Sequence, residues 1–342
     1  MIQIVNLISH LEIILEAKQM SEIITAGEPL VLFIADEKGP LHAVRHYTRY
    51  MAGADVNVSV GVSRLGHTVS FLTQTGEDPF GVYVKNFLNN ENIDTTYVFS
   101  TPKYPTGFML KGLSDIGDPE TVYFRKNSAA SKLTKEAVRQ VDFSGAKILH
   151  LGGILAGLSE SGYEATLALI EKARKYGLTI TFDPNLRPVI WESEEKMIER
   201  TNEIACLCDI VMPNAKEARI LTGQHVKEKM ADFYLFKGVR QVIINLVEEG
   251  SYSKKKLEDG SFVEAAAPKY EVKHLVDRIG AGDGFVSGIL AGMLEQLDDQ
   301  ALLMQGNAIC SIQMQSLGDN DGLPTRAALD AFMKSVSLVS AR

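Results

Sequence analysis

The stretch Asp277-Arg278-Ile279-Gly280-Ala281-Gly282-Asp283-Gly284 runs without interruption into residues 285–294, which are apolar at helical period. Two glycines allow a tight turn, and a helix starting there aims several unpaired N–H groups, reinforced by the helix dipole, at one point in space. Such a point attracts an anion, above all a phosphate. Asp283 stands inside it. A carboxylate with an ordinary pKa of about 3.9 is ionised at neutral pH and can accept a hydroxyl proton, while the amides of Gly280, Ala281 and Gly282 stabilise a transferring phosphoryl group. The blander reading, an acid that merely suits the first turn of a helix, stays open on this stretch alone. Other nucleotide motifs do not compete. The third glycine of G-x-G-x-x-G is missing, and residues 152–157 have the glycine spacing of a P-loop but Leu158 where it needs lysine.

A cradle that opens a helix belongs at the carboxyl end of a strand, and the rest of the chain supplies strands of the right kind. Residues 68–72, 147–151, 179–182, 209–212 and 241–246 are short apolar runs. Between them lie the helical patterns 56–65, 160–176, 194–206 and 282–297, with apolar residues three and four apart. This alternation predicts βαβ units and a parallel sheet, with function at the strands' carboxyl ends. Two stretches break the rhythm, 37–50 and 95–126. In the second, residues 97–99, 107–113 and 121–124 read as short strands separated by Pro102, Pro105 and Gly117, which suggests a small antiparallel flap. No linker divides the chain, so residues 22–340 read as one domain with the flap as its lid. Residues 1–21 read as an N-terminal extension, with Met20 as a second possible start.

Composition narrows the function class. The 342 residues carry 43 acidic and 35 basic side chains, a net charge of −8, which removes the general attraction to nucleic acid. Cys206, Cys208 and Cys310 form no C-x-x-C spacing, so neither a disulfide framework nor a structural zinc is supported and a reduced, cytoplasmic setting is expected. No apolar run has the length of a membrane span, and no signal peptide is recognisable. His42 and His46 lack the third ligand that a metal site would need.

At this point the sequence resembles the ribokinase-like (pfkB) carbohydrate kinases, whose signature D-T-x-G-A-G-D is matched by Asp277 to Asp283. The resemblance extends through the chain. Residues 52–59, Ala-Gly-Ala-Asp-Val-Asn-Val-Ser, resemble G-G-A-x-x-N-V-A, residues 76–81 match G-x-D-x-x-G, and Asn214 to Glu217 match N-x-x-E. What this implies is a three-layer α/β/α fold with a mostly parallel central sheet and a small β-sheet lid, using ATP and Mg²⁺. It assigns catalysis to Asp283 with Gly280, Ala281 and Gly282. Substrate binding falls to Gly53, Asn57, Tyr123, Arg125 and Arg187. Nucleotide binding falls to Asn185, Asn214, Gly250, Gly282 and Asn307, and Glu217 approaches the metal through water. By analogy, a homodimer or higher homo-oligomer is expected.

Within that family the branch acting on 2-keto-3-deoxygluconate is most similar, through residues 25–30 (Thr-Ala-Gly-Glu-Pro-Leu), 123–130 and 182–187. An acid for sugar hydroxyls is missing around Leu32, while Arg125 and Arg187 can hold a carboxylate. The sequence also departs from the pattern. Ala52 replaces a glycine and is expected to crowd the sugar, Met109 replaces a tyrosine, and residues 245–250 replace a nucleotide-contacting K-x-G-x-x-G. Two alternatives therefore remain at this point: a kinase of neutral sugars such as fructose or ribose, and a sugar-binding regulatory protein with weak catalysis.

Overall fold

The computed structural model describes residues 20–114, 119–336 and 338. All but the last two residues of the expected N-terminal extension lie outside them. The main sheet is built from β1 (Ile23–Ala26), β4 (Val69–Gly76), β5 (Val98–Thr101), β8 (Ile148–Gly152), β9 (Thr179–Asp183), β10 (Ile210–Val211), β11 (Gln241–Val247), β12 (Gly250–Lys256) and β13 (Phe262–Ala267). Their order is β13-β12-β11-β10-β9-β8-β1-β4-β5, parallel from β11 to β5, with β12 and β13 added antiparallel. The remaining strands, β2 (Leu30–Ala35), β3 (Tyr47–Ala52), β6 (Phe108–Lys111) and β7 (Thr121–Phe124), form a separate lid in the order β3-β2-β6-β7.

Alternating side chains explain why the central strands read as continuous apolar runs. Ile24, Leu149, Ile180 and Val242 point into one core, and Ile23, Ile148 and Ile243 into another on the opposite face. A sheet covered on both faces needs apolar residues at every position. The helix Glu160–Tyr176 packs in the first core through Leu169 and Ile170, and the helix Ala281–Leu294 in the second through Phe285, Ile289 and Leu290. The result is the expected three-layer α/β/α arrangement. Among the described residues no helix is long and apolar enough to cross a membrane.

The lid differs from its expected outline. Residues 97–99 belong to the main sheet: Val98 pairs with Thr73 in parallel register, and Tyr97 is buried with its hydroxyl accepting from the Asp142 amide at 2.9 Å. The lid begins earlier than residue 37, with β2. Its apolar run Leu30–Ala35 is buried because β3 and β6 flank it. The pairs β2–β3 and β6–β7 are antiparallel and are joined by the parallel pair β2–β6.

Candidate active site

A cavity of about 370 Å³ opens at the carboxyl ends of the central strands, beneath the lid. Gly53, Asn57, Met109, Tyr123, Arg125, Asn185, Arg187, Asn214, Glu217, Gly280, Gly282 and Asp283 all line it, so one cavity gathers most of the residues picked out in the sequence. The cradle is built as its glycines suggest. Gly280 caps the helix Ala281–Leu294 at φ 76°, and a Cβ there would lie 1.8 Å from the Asp319 carbonyl oxygen, so no other residue fits. A Cβ on Gly282 would meet open space, leaving the backbone accessible from the cavity. Ala281 is buried and its amide faces the Arg278 carbonyl at 3.4 Å, so its role is to close the turn.

Asp283 is held from two sides. Asn57 Nδ2 donates to Oδ2 at 2.7 Å and Asn185 Nδ2 donates to Oδ1 at 3.3 Å. Asn57, expected at a sugar hydroxyl, and Asn185, expected at the nucleotide, both line the cavity and both hold this carboxylate. Asn57 is in turn fixed by Asn320, whose Nδ2 donates to Asn57 Oδ1 at 2.8 Å and to the Met51 carbonyl at 3.0 Å. The guanidinium of Arg64 then holds the carbonyls of Asn320 and Leu323, each at 2.9 Å. Asn320 is a functional residue that sequence reading missed, since no local motif surrounds it.

Burial raises the pKa of Asp283, opposed by the Asn57 bond, the Arg187 guanidinium and Asn185. The carboxyl still ionises, but over a higher range than an exposed aspartate. Removing a group that favours the charged form lifts it further. Asn57→Ala should therefore move the acid limb of the kcat/KM profile to higher pH, in addition to lowering the plateau. A pH–rate series on both proteins checks this, and an unmoved limb would disconnect Asn57 from the titrating group.

The surrounding wall is unusually acidic. Asp183 rises well above the ordinary range through burial and the repulsion of Glu217 and Asp283, and Asp319 is pushed by burial to about 7. Asp55, behind the wall, is likewise pushed to about 7 by burial and by Asp283. Asp319 lines the cavity and also escaped the sequence reading.

Glu28, four residues before Leu32, is a further acid on the wall. It is fully buried and pairs with Arg125, whose Nε donates to it at 2.6 Å, and it also accepts from the Ser128 hydroxyl. The site thus does contain an acid near the position where one was thought missing, with its charge already matched. Arg125 is correspondingly not a free carboxylate receptor. Arg187 is different. Its guanidinium lines the cavity, donates to its neighbour's carbonyl, Leu186 O, at 3.1 Å, and takes part in no ion pair among the described residues.

Glu217 and Asn214 form a helix capping box. Glu217 accepts the amides of Leu186 at 2.9 Å and Asn214 at 3.0 Å, while Asn214 Oδ1 accepts those of Lys216 and Glu217. Among the described residues no group of three or more His, Cys, Asp or Glu could hold a metal by itself. The set suits a cation that arrives on phosphate and keeps its water, with Glu217 at one remove.

Gly250 and Asn307 do not line the cavity. Gly250 lies at φ 90°, and a Cβ there would lie 2.1 Å from the Ala267 carbonyl oxygen. Asn307 Nδ2 donates to the carbonyls of Ala267 and Pro268 at 3.1 and 3.0 Å. Both brace the end of β13. Ala52 is displaced from its expected role. It is buried among Leu30, Leu32, Ile34 and Met109 inside the lid, where its methyl group packs and does not crowd the cavity.

Comparison with known proteins agrees with this architecture. The model of the pfkB family carbohydrate kinases matches residues 20–326. A 2-dehydro-3-deoxygluconokinase of Bacillus subtilis (strain 168) is 39% identical over 313 residues, covering 91% of this chain and 95% of its own. Among solved structures, a PfkB protein from Polaromonas sp. JS666 superposes with a TM-score of 0.80 at 32% identity, over 91% of this chain and 99% of that one. The sugar kinase PH1459 from Pyrococcus horikoshii, solved in complex with ATP, gives a TM-score of 0.76 at 30% identity, over 89% and 96%. With a glycine cradle, a buried and doubly held aspartate and a lid over both, the chain belongs to the pfkB family of carbohydrate kinases.

Proposed function

We propose that this protein transfers the γ-phosphoryl group of ATP to the terminal hydroxyl of a sugar acid, foremost 2-keto-3-deoxygluconate, also called 2-dehydro-3-deoxygluconate. The observation that carries the choice of an acid is Arg187, a cavity guanidinium that acts on Asp283 and Glu217 at a distance and forms no ion pair among the described residues. A substrate carboxylate supplies a partner through charge-assisted hydrogen bonds. The Bacillus relative and the ATP complex of the Pyrococcus protein support the reading.

In this reading Asp283 takes the proton of the attacking hydroxyl, held for that purpose by Asn57 and Asn185. The amides of Gly280 and Gly282 face the charge that develops on the phosphoryl oxygens, with Ala281 closing the turn. Mg²⁺ arriving with the nucleotide would neutralise phosphate charge, and Glu217 and Asn214 would hold it through its waters. The lid keeps bulk water from the phosphoryl group.

A neutral-sugar kinase is the second reading, favoured by Asp319 on the wall, whose carboxyl can accept from sugar hydroxyls. ADP release measured over a panel of sugar acids and neutral sugars separates the two. The highest kcat/KM is expected on 2-keto-3-deoxygluconate, and a preference for fructose or ribose over every sugar acid would overturn the first reading.

A further inference from the structure

Lys111 lies on lid strand β6, paired in register with Ile34 and Thr121, and its side chain is 3% exposed where it lines the cavity. Its ammonium meets the carboxylate of Asp277, itself only 13% exposed. The other oxygen of Asp277 accepts the amide of Ile279 at 3.1 Å. One carboxylate thus joins the lid to the backbone turn that delivers Gly280.

A second link runs in the same direction. Lys111 acts on Asp319, lowering a carboxyl that burial raises. The carbonyl of Asp319 is also the atom against which Gly280 is packed. A buried ammonium is therefore paired with one acid of the turn, Asp277, and acts electrostatically on a second, Asp319, against whose carbonyl the cradle packs. The lid does not require this charge for its own hydrogen bonding, since β6 is paired on both sides.

We propose that Lys111 is a positioning residue for phosphoryl transfer: through Asp277 it fixes the turn ahead of Gly280 and so sets the cradle amides when the lid is in place. The proposal rests on the phosphotransfer reading above. It differs from substrate binding, because the ammonium is occupied by Asp277 and acts through it.

The experiment compares Lys111→Met, Lys111→Arg, Asp277→Asn and the Lys111→Met/Asp277→Asn pair by steady-state kinetics, using the best acceptor of the panel. Wild-type turnover tests the reaction itself, and the ratios to it test Lys111; a wild type inactive on every acceptor overturns both. Lys111→Met and Asp277→Asn should each lower kcat by about 10- to 100-fold, the scale of a small misplacement of reacting groups, with sugar KM changed by less than about threefold. The double variant should be no worse than the poorer single one, because both remove the same link. Lys111→Arg should recover most of the loss.

A raised sugar KM with kcat kept would make Lys111 a substrate ligand and overturn the proposal. So would losses that multiply in the double variant, or unchanged kinetics. If Lys111→Met fails to fold because Asp277 is left buried and unpaired, the charge-free double variant gives the answer, and wild-type turnover there refutes the link.

Discussion

Asp283→Asn should lower turnover by about 10² to 10⁴, the range typical of a positioned acid–base group, with little change in sugar KM or in folding. The amide keeps the carboxylate's shape and can still accept from one of the two asparagines that hold it, Asn57 or Asn185. It cannot take the hydroxyl proton. Because burial already raises the native carboxyl, the wild-type enzyme should lose activity as the pH falls through that raised value, and the variant's residual rate should lack this limb. Single-turnover measurement of phosphoryl transfer separates chemistry from product release. A variant turning over near the wild-type rate would reduce Asp283 to a helix-start residue and remove the base from the mechanism.

Arg187→Ala should weaken kcat/KM for 2-keto-3-deoxygluconate by about 10- to 100-fold. A charge-assisted hydrogen bond contributes about 1.5–3 kcal/mol and each decade corresponds to about 1.4 kcal/mol. A poor neutral substrate should be affected far less. The same guanidinium lowers the carboxyls of Asp283 and Glu217, so its loss also shifts the acid limb upward. Measuring well above that limb isolates the contribution to substrate binding. Arg187→Lys should restore only part of the loss, since it returns the charge without the planar fork. Equal losses on acidic and neutral sugars would show that Arg187 serves the site in general and not a substrate carboxylate.

The fold was legible because buried parallel strands and amphipathic helices write different periods. The helix patterns 160–176 and 194–206 coincide with Glu160–Tyr176 and Glu194–Cys206. The lid was read less well, since β2 and β5 are both short, at six and four residues, and only tertiary pairing tells a lid strand from a sheet edge. The cradle was visible through its glycines, which backbone geometry demands locally. Partnerships were not. Glu28 with Arg125, Asn57 with Asp283 and Lys111 with Asp277 join residues 97, 226 and 166 positions apart, and no spacing rule reports on them. Positions were therefore more legible than partners: the sequence singles out Asn185 and Asn307, but not the bonds that Asn185 makes to Asp283 and Asn307 to the carbonyls of Ala267 and Pro268.

Asn320 joins Asn57 across 263 positions and Met51 across 269, so the orientation of the acid depends on a contact between two distant ends of the described chain. Loop closure makes such contacts late arrivals in folding. During synthesis, the sheet up to β11 can assemble while Asp283 still lacks its outer brace, and the chain is then folded in large part without being competent. In refolding, recovery of phosphotransfer should consequently lag behind recovery of helical signal, by the time this last closure takes.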